Sequence, residues 1–93
     1  MAEVRLSARA VGNLLAHDDW LRARNPQVAD RLILDVEQSL LLLSEHPFAG
    51  RAVAATSLRI MRTRRYRYRL AYRATDAVVE IERVLHPRQA GPF

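Results

Sequence analysis

Between Leu58 and Arg73 the chain reads LRIMRTRRYRYRLAYR, a run that concentrates Arg59, Arg62, Arg64, Arg65, Arg67, Arg69 and Arg73, and Glu80, Glu82 and His86 follow it. Guanidinium groups stay charged and present a planar fork of donors that matches carboxylates and phosphates. Carboxylates and imidazoles are the side chains that can pass protons. The second half of the chain therefore holds the groups for two kinds of chemistry: charge-complementary docking on an anionic partner, and acid–base work on an anionic substrate.

From Arg65 onward the stretch alternates. Tyr66, Tyr68, Leu70 and Tyr72 point one way and Arg65, Arg67, Arg69 and Arg73 the other, interrupted only by Ala71. That spacing predicts a strand with one buried and one polar face. Strands are expected at 58–63, 65–73 and 77–86, with Ala74-Thr75-Asp76-Ala77 as a hairpin connection. The expected register sets Tyr72 opposite Val79, Leu70 opposite Ile81 and Tyr66 opposite Leu85. On the other face it sets Ala71 opposite Glu80, Arg69 opposite Glu82, Arg67 opposite Val84 and Arg65 opposite His86. Arg59, Arg67 and Arg73 then have no opposed acid. These three are the candidate contacts for a target.

The rest of the chain must cover the tyrosines. Glu3 to Leu6 can be a short strand, and Ser7 offers an N-cap to a first helix running from Ala8 to about Arg24. Val11 and Leu14 are expected in the core, Trp20 in core or helix-hairpin packing, and Gly12 costs about 1 kcal/mol relative to Ala in mid-helix. Asn25-Pro26 starts a second helix, because Asn caps well and Pro is tolerated at the first helical position. That helix ends by His46, ahead of Pro47. Its core face is Ala29, Leu32, Ile33, Val36, Leu40 and Leu43, while Leu34, Leu41 and Leu42 form a second stripe suited either to a wide core or to a partner. Residues 48–51 read as a turn and 52–57 as a loop. The result is an α+β fold of order β-α-α-β-β-β, a helical hairpin packed on one face of a small antiparallel-rich sheet.

Ninety-three residues make a single domain, 1–93. With no cysteine and three dispersed histidines, neither disulfides nor a metal centre is expected, and no cofactor is implied. The sequence shows no signal-peptide core and no membrane-spanning run, so the expected location is the cytoplasm. Every positive residue is arginine. Residues 1–50 carry five arginines against seven acids, and 51–93 carry ten against three, so the positive charge lies almost wholly in the second half. Such a basic face suits nucleic acid, an acidic protein or an acidic peptide.

The early strand ending in Leu6-Ser7, the link Arg24-Asn25-Pro26 followed by Ala29-Asp30-Arg31-Leu32, the stop His46-Pro47 with Gly50-Arg51, the strand Tyr68-Arg69-Leu70-Ala71-Tyr72-Arg73 and the close Arg83-Val84-Leu85-His86 together resemble the ParE branch of the ParE/RelE toxin superfamily. The resemblance covers nearly the whole chain and rests on the order of these pieces. It implies a toxin of a type II toxin–antitoxin pair, held inactive in a hetero-oligomer by a cognate ParD-like or RelB-like antitoxin with an acidic carboxyl-terminal segment.

Toxins similar to ParE poison DNA gyrase, whereas those similar to RelE cut mRNA on the ribosome. Metal-free RNA cleavage needs a base, an acid and cations on the phosphate. If this chain were such an enzyme, Arg69, Arg73, Glu82 and His86 would carry the reaction. The lysines that the nuclease branch often places on its central strands are missing, so the expected function is gyrase binding rather than catalysis. The ribosome-dependent endoribonuclease, or a folded member that has lost toxicity, are the alternatives. For either target, Leu34, Leu41, Leu42, Arg59, Arg67 and Arg73 are the candidate antitoxin contacts.

Overall fold

The computed structural model describes residues 1–89; the expected tail residues beyond Gln89 lie outside it. Strand β1 (Glu3–Leu6) leads into helices α1 (Ala8–Arg24) and α2 (Pro26–Glu45), and strands β2 (Arg51–Ala52), β3 (Arg59–Arg62), β4 (Arg69–Ala74) and β5 (Val78–Leu85) follow. Together they form one five-stranded sheet in the order β1-β5-β4-β3-β2. Only the β1–β5 pairing is parallel.

Both helix starts follow from their caps. The Ser7 hydroxyl accepts the Ala10 amide at 3.0 Å and itself donates to the Glu82 carbonyl at 2.9 Å, tying the start of α1 to β5. The Asn25 side chain accepts the Val28 amide at 3.2 Å, with Pro26 at the first helical position. His46 closes α2 by donating its amide to the Leu42 carbonyl.

The helices cover the tyrosine face as expected: Ala10, Leu32, Val36 and Leu43 meet Tyr68, Leu70, Tyr72, Val79, Ile81 and Val84 in one core. The buried stripe of α1 is rotated from the expected one. Ala10 is its fully buried residue and Leu14 and Leu21 pack on the core, while Val11 is 41% exposed. Trp20 is 57% exposed and lies under the Arg24 guanidinium, 4.0 Å from its ring centre, instead of packing inside.

The hairpin register differs from the expected one. Thr75 donates its amide to the Val78 carbonyl, and its hydroxyl accepts the amides of Ala77 and Val78 at 3.2 and 3.1 Å. The turn is thereby centred on Asp76-Ala77, one residue later than expected, which moves the pairing by two. Arg73 now lies opposite Glu80 and Tyr72 opposite Ile81. An irregularity between Ala71 and Tyr72 then brings Ala71 opposite Arg83, Leu70 opposite Val84 and Arg69 opposite Leu85. The expected pairs Arg69–Glu82, Arg67–Val84 and Arg65–His86 are not formed.

The strand expected to begin at 65 begins at Arg69. Residues 64–66 are a turn, and Arg67 adopts φ 62°. Loop 52–57 is mostly as read, except that Arg51–Ala52 add a short edge strand beside β3.

Gly50 shows why no side chain is tolerated at that turn. Its amide donates to the Tyr72 hydroxyl at 2.8 Å, and a Cβ there would lie 2.6 Å from the same oxygen. Burial pushes the Tyr72 phenol up, opposed by the Gly50 amide and the nearby Arg59 charge.

Candidate binding site

The connection between β3 and β4 is held from beneath. Asp35 projects from α2, almost fully buried, and its two carboxylate oxygens accept the amides of Arg65 at 3.0 Å and Tyr66 at 2.8 Å. Thr63, fully buried, donates its amide to the Tyr68 carbonyl, and its hydroxyl accepts the Tyr68 amide at 3.0 Å and bonds to Asp35. Burial alone would raise the Asp35 carboxyl. The Tyr66 amide, the Thr63 hydroxyl, the Arg65 amide and the Arg65 charge outweigh it and hold the group below the usual carboxylate range. These bonds use the amides that a strand at 65–68 would need for its ladder, which is why the alternation Arg65-Tyr66-Arg67-Tyr68 does not become one.

On this mount Arg62, Arg64, Arg65 and Arg67 are all exposed. Arg65 lies over the Tyr66 ring, 5.5 Å from its centre. Beside the turn run two grooves along α2. The larger, about 400 Å³, is lined by Gln38, Leu42, Met61, Arg62 and Arg64 above Asp35; the smaller, about 110 Å³, by Arg31, Leu34, Gln38 and Arg65. Leu34 and Leu42 thus line grooves that each also carry two arginines. Leu41 lies exposed on the same helix. The three leucines expected as a second stripe are 55%, 56% and 45% exposed in chain order.

The other candidate arginines are engaged. Arg73 donates to the Ser57 hydroxyl at 2.9 Å and to Glu82 at 2.7 Å, at the edge of a shallow groove of about 390 Å³ that Thr75, Val78 and Glu80 also line. Arg59 donates to the carbonyls of Phe48 and Gly50, at 3.2 and 2.8 Å, with its guanidinium 5.3 Å from the Phe48 ring centre. Arg69 is 9% exposed and donates to the Gln89 carbonyl. Of the expected trio, Arg59 and Arg73 are bonded within the chain, and Arg67 belongs to the turn rather than to the sheet.

His86 leaves the sheet for a different neighbourhood. Its ring packs with His17 of α1, centres 5.8 Å apart and nearly parallel, and edge-on with Tyr68 at 5.3 Å. His86 Nδ1 accepts the Arg88 amide at 3.0 Å, so the neutral ring carries its proton on Nε2. Burial and then the charge of His86 push His17 down; burial pushes Tyr68 up. Of the four groups a nuclease would draw on, Arg73 bonds to Glu82, while Arg69 and His86 both bond to Gln89, Arg69 through its guanidinium and His86 through its amide. Among the described residues no three His, Asp or Glu side chains converge as metal ligands, and no helix is long and apolar enough to cross a membrane.

Sequence reasoning missed Asp35 and Thr63. A signal was present: Asp35 falls in phase with Leu32, Val36 and Leu43 on the core face of α2, where an acid needs donors brought to it. Arg62 and Arg64 were counted as charge but not placed.

The family model for the ParE toxin of the type II toxin–antitoxin system parDE matches residues 4–91. Among solved structures the chain is similar to one described as the chromosomal ParDE TA system from P. aeruginosa, with a TM-score of 0.77 over 92% of this chain and 96% of that one. At 19% identity that likeness concerns the fold. No curated protein sequence matches.

Proposed function

The chain belongs to the ParE toxin family of type II toxin–antitoxin systems, and from that premise we propose that it stops growth by binding DNA gyrase in the cytoplasm and is neutralised by a cognate antitoxin. The observation that carries the antitoxin half is the pair of grooves beside α2. Their leucines ask for an apolar face and their arginines for carboxylates, which is the chemistry of an acidic amphipathic segment. Leu34, Leu41 and Leu42 would be its apolar contacts, with the turn arginines, Arg67 among them, meeting its acids. Arg59 and Arg73 can join a partner only by exchanging bonds they already make.

Support for binding over catalysis comes from the commitment of Arg73 to Glu82 and Ser57 and of Arg69 to the Gln89 carbonyl, bonds that a phosphate would have to displace. The test is induction in a bacterial host with and without the neighbouring antitoxin frame, following plasmid supercoiling, the DNA-damage response and mRNA 5′ ends. The expected result is a damage response with altered supercoiling, relieved by the antitoxin. Cuts at codon boundaries with normal supercoiling would replace this reading by the RelE-like endoribonuclease; unimpaired growth would mark a member without toxicity. In a toxic chain, His86→Phe should leave toxicity largely intact, and Arg59, Arg67 and Arg73 replaced together by Ala should remove it.

A further inference from the structure

We propose that the β3–β4 turn is a binding surface for the phosphate backbone of double-stranded nucleic acid. Arg62, Arg64, Arg65 and Arg67 fall within six residues, all exposed, with Arg31 of α2 and Arg65 lining one groove. Among the described residues, Arg62, Arg64 and Arg67 make no ion pair, whereas Arg5, Arg22 and Arg73 do. Asp35 beneath the turn is buried, bonded to its amides and acts on the Arg65 charge, so the proposal rests on Arg62, Arg64 and Arg67. Guanidiniums so close together repel one another, and a chain that fixes them on a rigid mount holds them there against that repulsion.

Arg67 is at φ 62°, where glycine or asparagine would be less strained than arginine; Ala55 in loop 52–57 shares this conformation at φ 61°, so the proposal rests on the arginine cluster and not on the strain. Duplex phosphates, one charge per roughly 1.7 Å of axis, match such a density of cations better than the mixed surface of an ordinary protein partner. This inference does not rest on gyrase being the target. An antitoxin segment filling the α2 grooves would cover Arg62, Arg64 and Arg65 and displace the nucleic acid.

The experiment is a fluorescence-anisotropy titration of the full chain against labelled DNA and RNA duplexes of about 20 base pairs, between about 25 and 200 mM salt. Three proteins separate this turn from overall basicity: wild type, Arg62/Arg64/Arg67→Gln, and the charge-matched Arg9/Arg24/Arg88→Gln. The turn variant should lose at least about tenfold in affinity, and its salt slope should fall by about 2–3, while the control loses under about threefold. Binding of either duplex supports the proposal, and their ratio assigns the source. Arg67→Gly keeps the left-handed backbone without strain. It should weaken binding by about threefold with unchanged or higher thermal stability. Equal losses in the two triple variants, or competition by poly-glutamate as strong as by DNA of equal charge, would overturn it.

Discussion

Two groups of arginines lie a few residues apart and behave in opposite ways. Arg59, Arg69 and Arg73 lie on the sheet and are spent inside the molecule, on the carbonyls of Phe48 and Gly50, the carbonyl of Gln89, and Glu82 with Ser57. Arg62 at the end of β3, and Arg64 and Arg67 on the connection that follows it, meet no acid among the described residues. The same residue type is structural in one place and available to a partner in the other. What separates them is what lies alongside: Arg59, Arg69 and Arg73 have acceptors within reach, whereas Arg62 ends β3 exposed and the connection after it directs the Arg65 and Tyr66 amides inward to Asp35 and its arginines outward.

The largest effect should come from removing the mount. Asp35→Asn leaves an amide NH₂ facing backbone donors and should cost about 3 kcal/mol, read from urea unfolding. The acid limb sharpens this prediction. A carboxyl held low in the fold contributes stability that is complete above its unfolded value near pH 4 and is lost as pH falls through its folded value. Wild type should therefore lose more stability below pH 4 than Asp35→Asn does. Equal stability of the two proteins at pH 7 would show that the turn holds itself.

Gly50→Ala comes next, because its Cβ would enter the Tyr72 hydroxyl; the expected loss is about 2 kcal/mol by thermal or urea melts. Arg59→Gln should cost about 1 kcal/mol by releasing two carbonyls, whereas Arg64→Gln should cost nothing measurable, and this contrast tests the comparison directly. If both variants melt alike, the sheet and turn arginines are not different in kind. The exposed Arg73–Glu82 pair should also contribute little: a double-mutant cycle should give at most about 1 kcal/mol.

The architecture was legible because its signals were local. Ser7, Asn25-Pro26 and Pro47 bounded both helices, and the period of α2 gave its core face. From Tyr72 to Ala74 the hairpin is shifted by two, which keeps those side chains on their expected sides; the irregularity at Ala71 adds a third residue, and Arg69 to Tyr72 are all buried. What failed depended on distant partners. The strand from 65 was lost to a carboxylate thirty residues earlier, and the turn centre moved because the Thr75 hydroxyl captured two amides. The candidate site was legible as a concentration of charge. Which arginines remain available could not be read before Phe48, Gly50, Ser57 and Glu82 were in place around the others.

The parallel pairing of the first strand with the last has a consequence for how the molecule comes into being. Glu3–Leu6 pairs with residues 78–81 of β5, and Ser7 reaches Glu82 across 75 positions of chain. Such a closure is entropically demanding and slow to form. During synthesis the helical hairpin emerges early but has no completed sheet to cover until β5 has left the ribosome. The chain should therefore reach its folded state only after β5 has been synthesised and released. An antitoxin already present in the cell would meet it in the moments when its turn and grooves are first assembled.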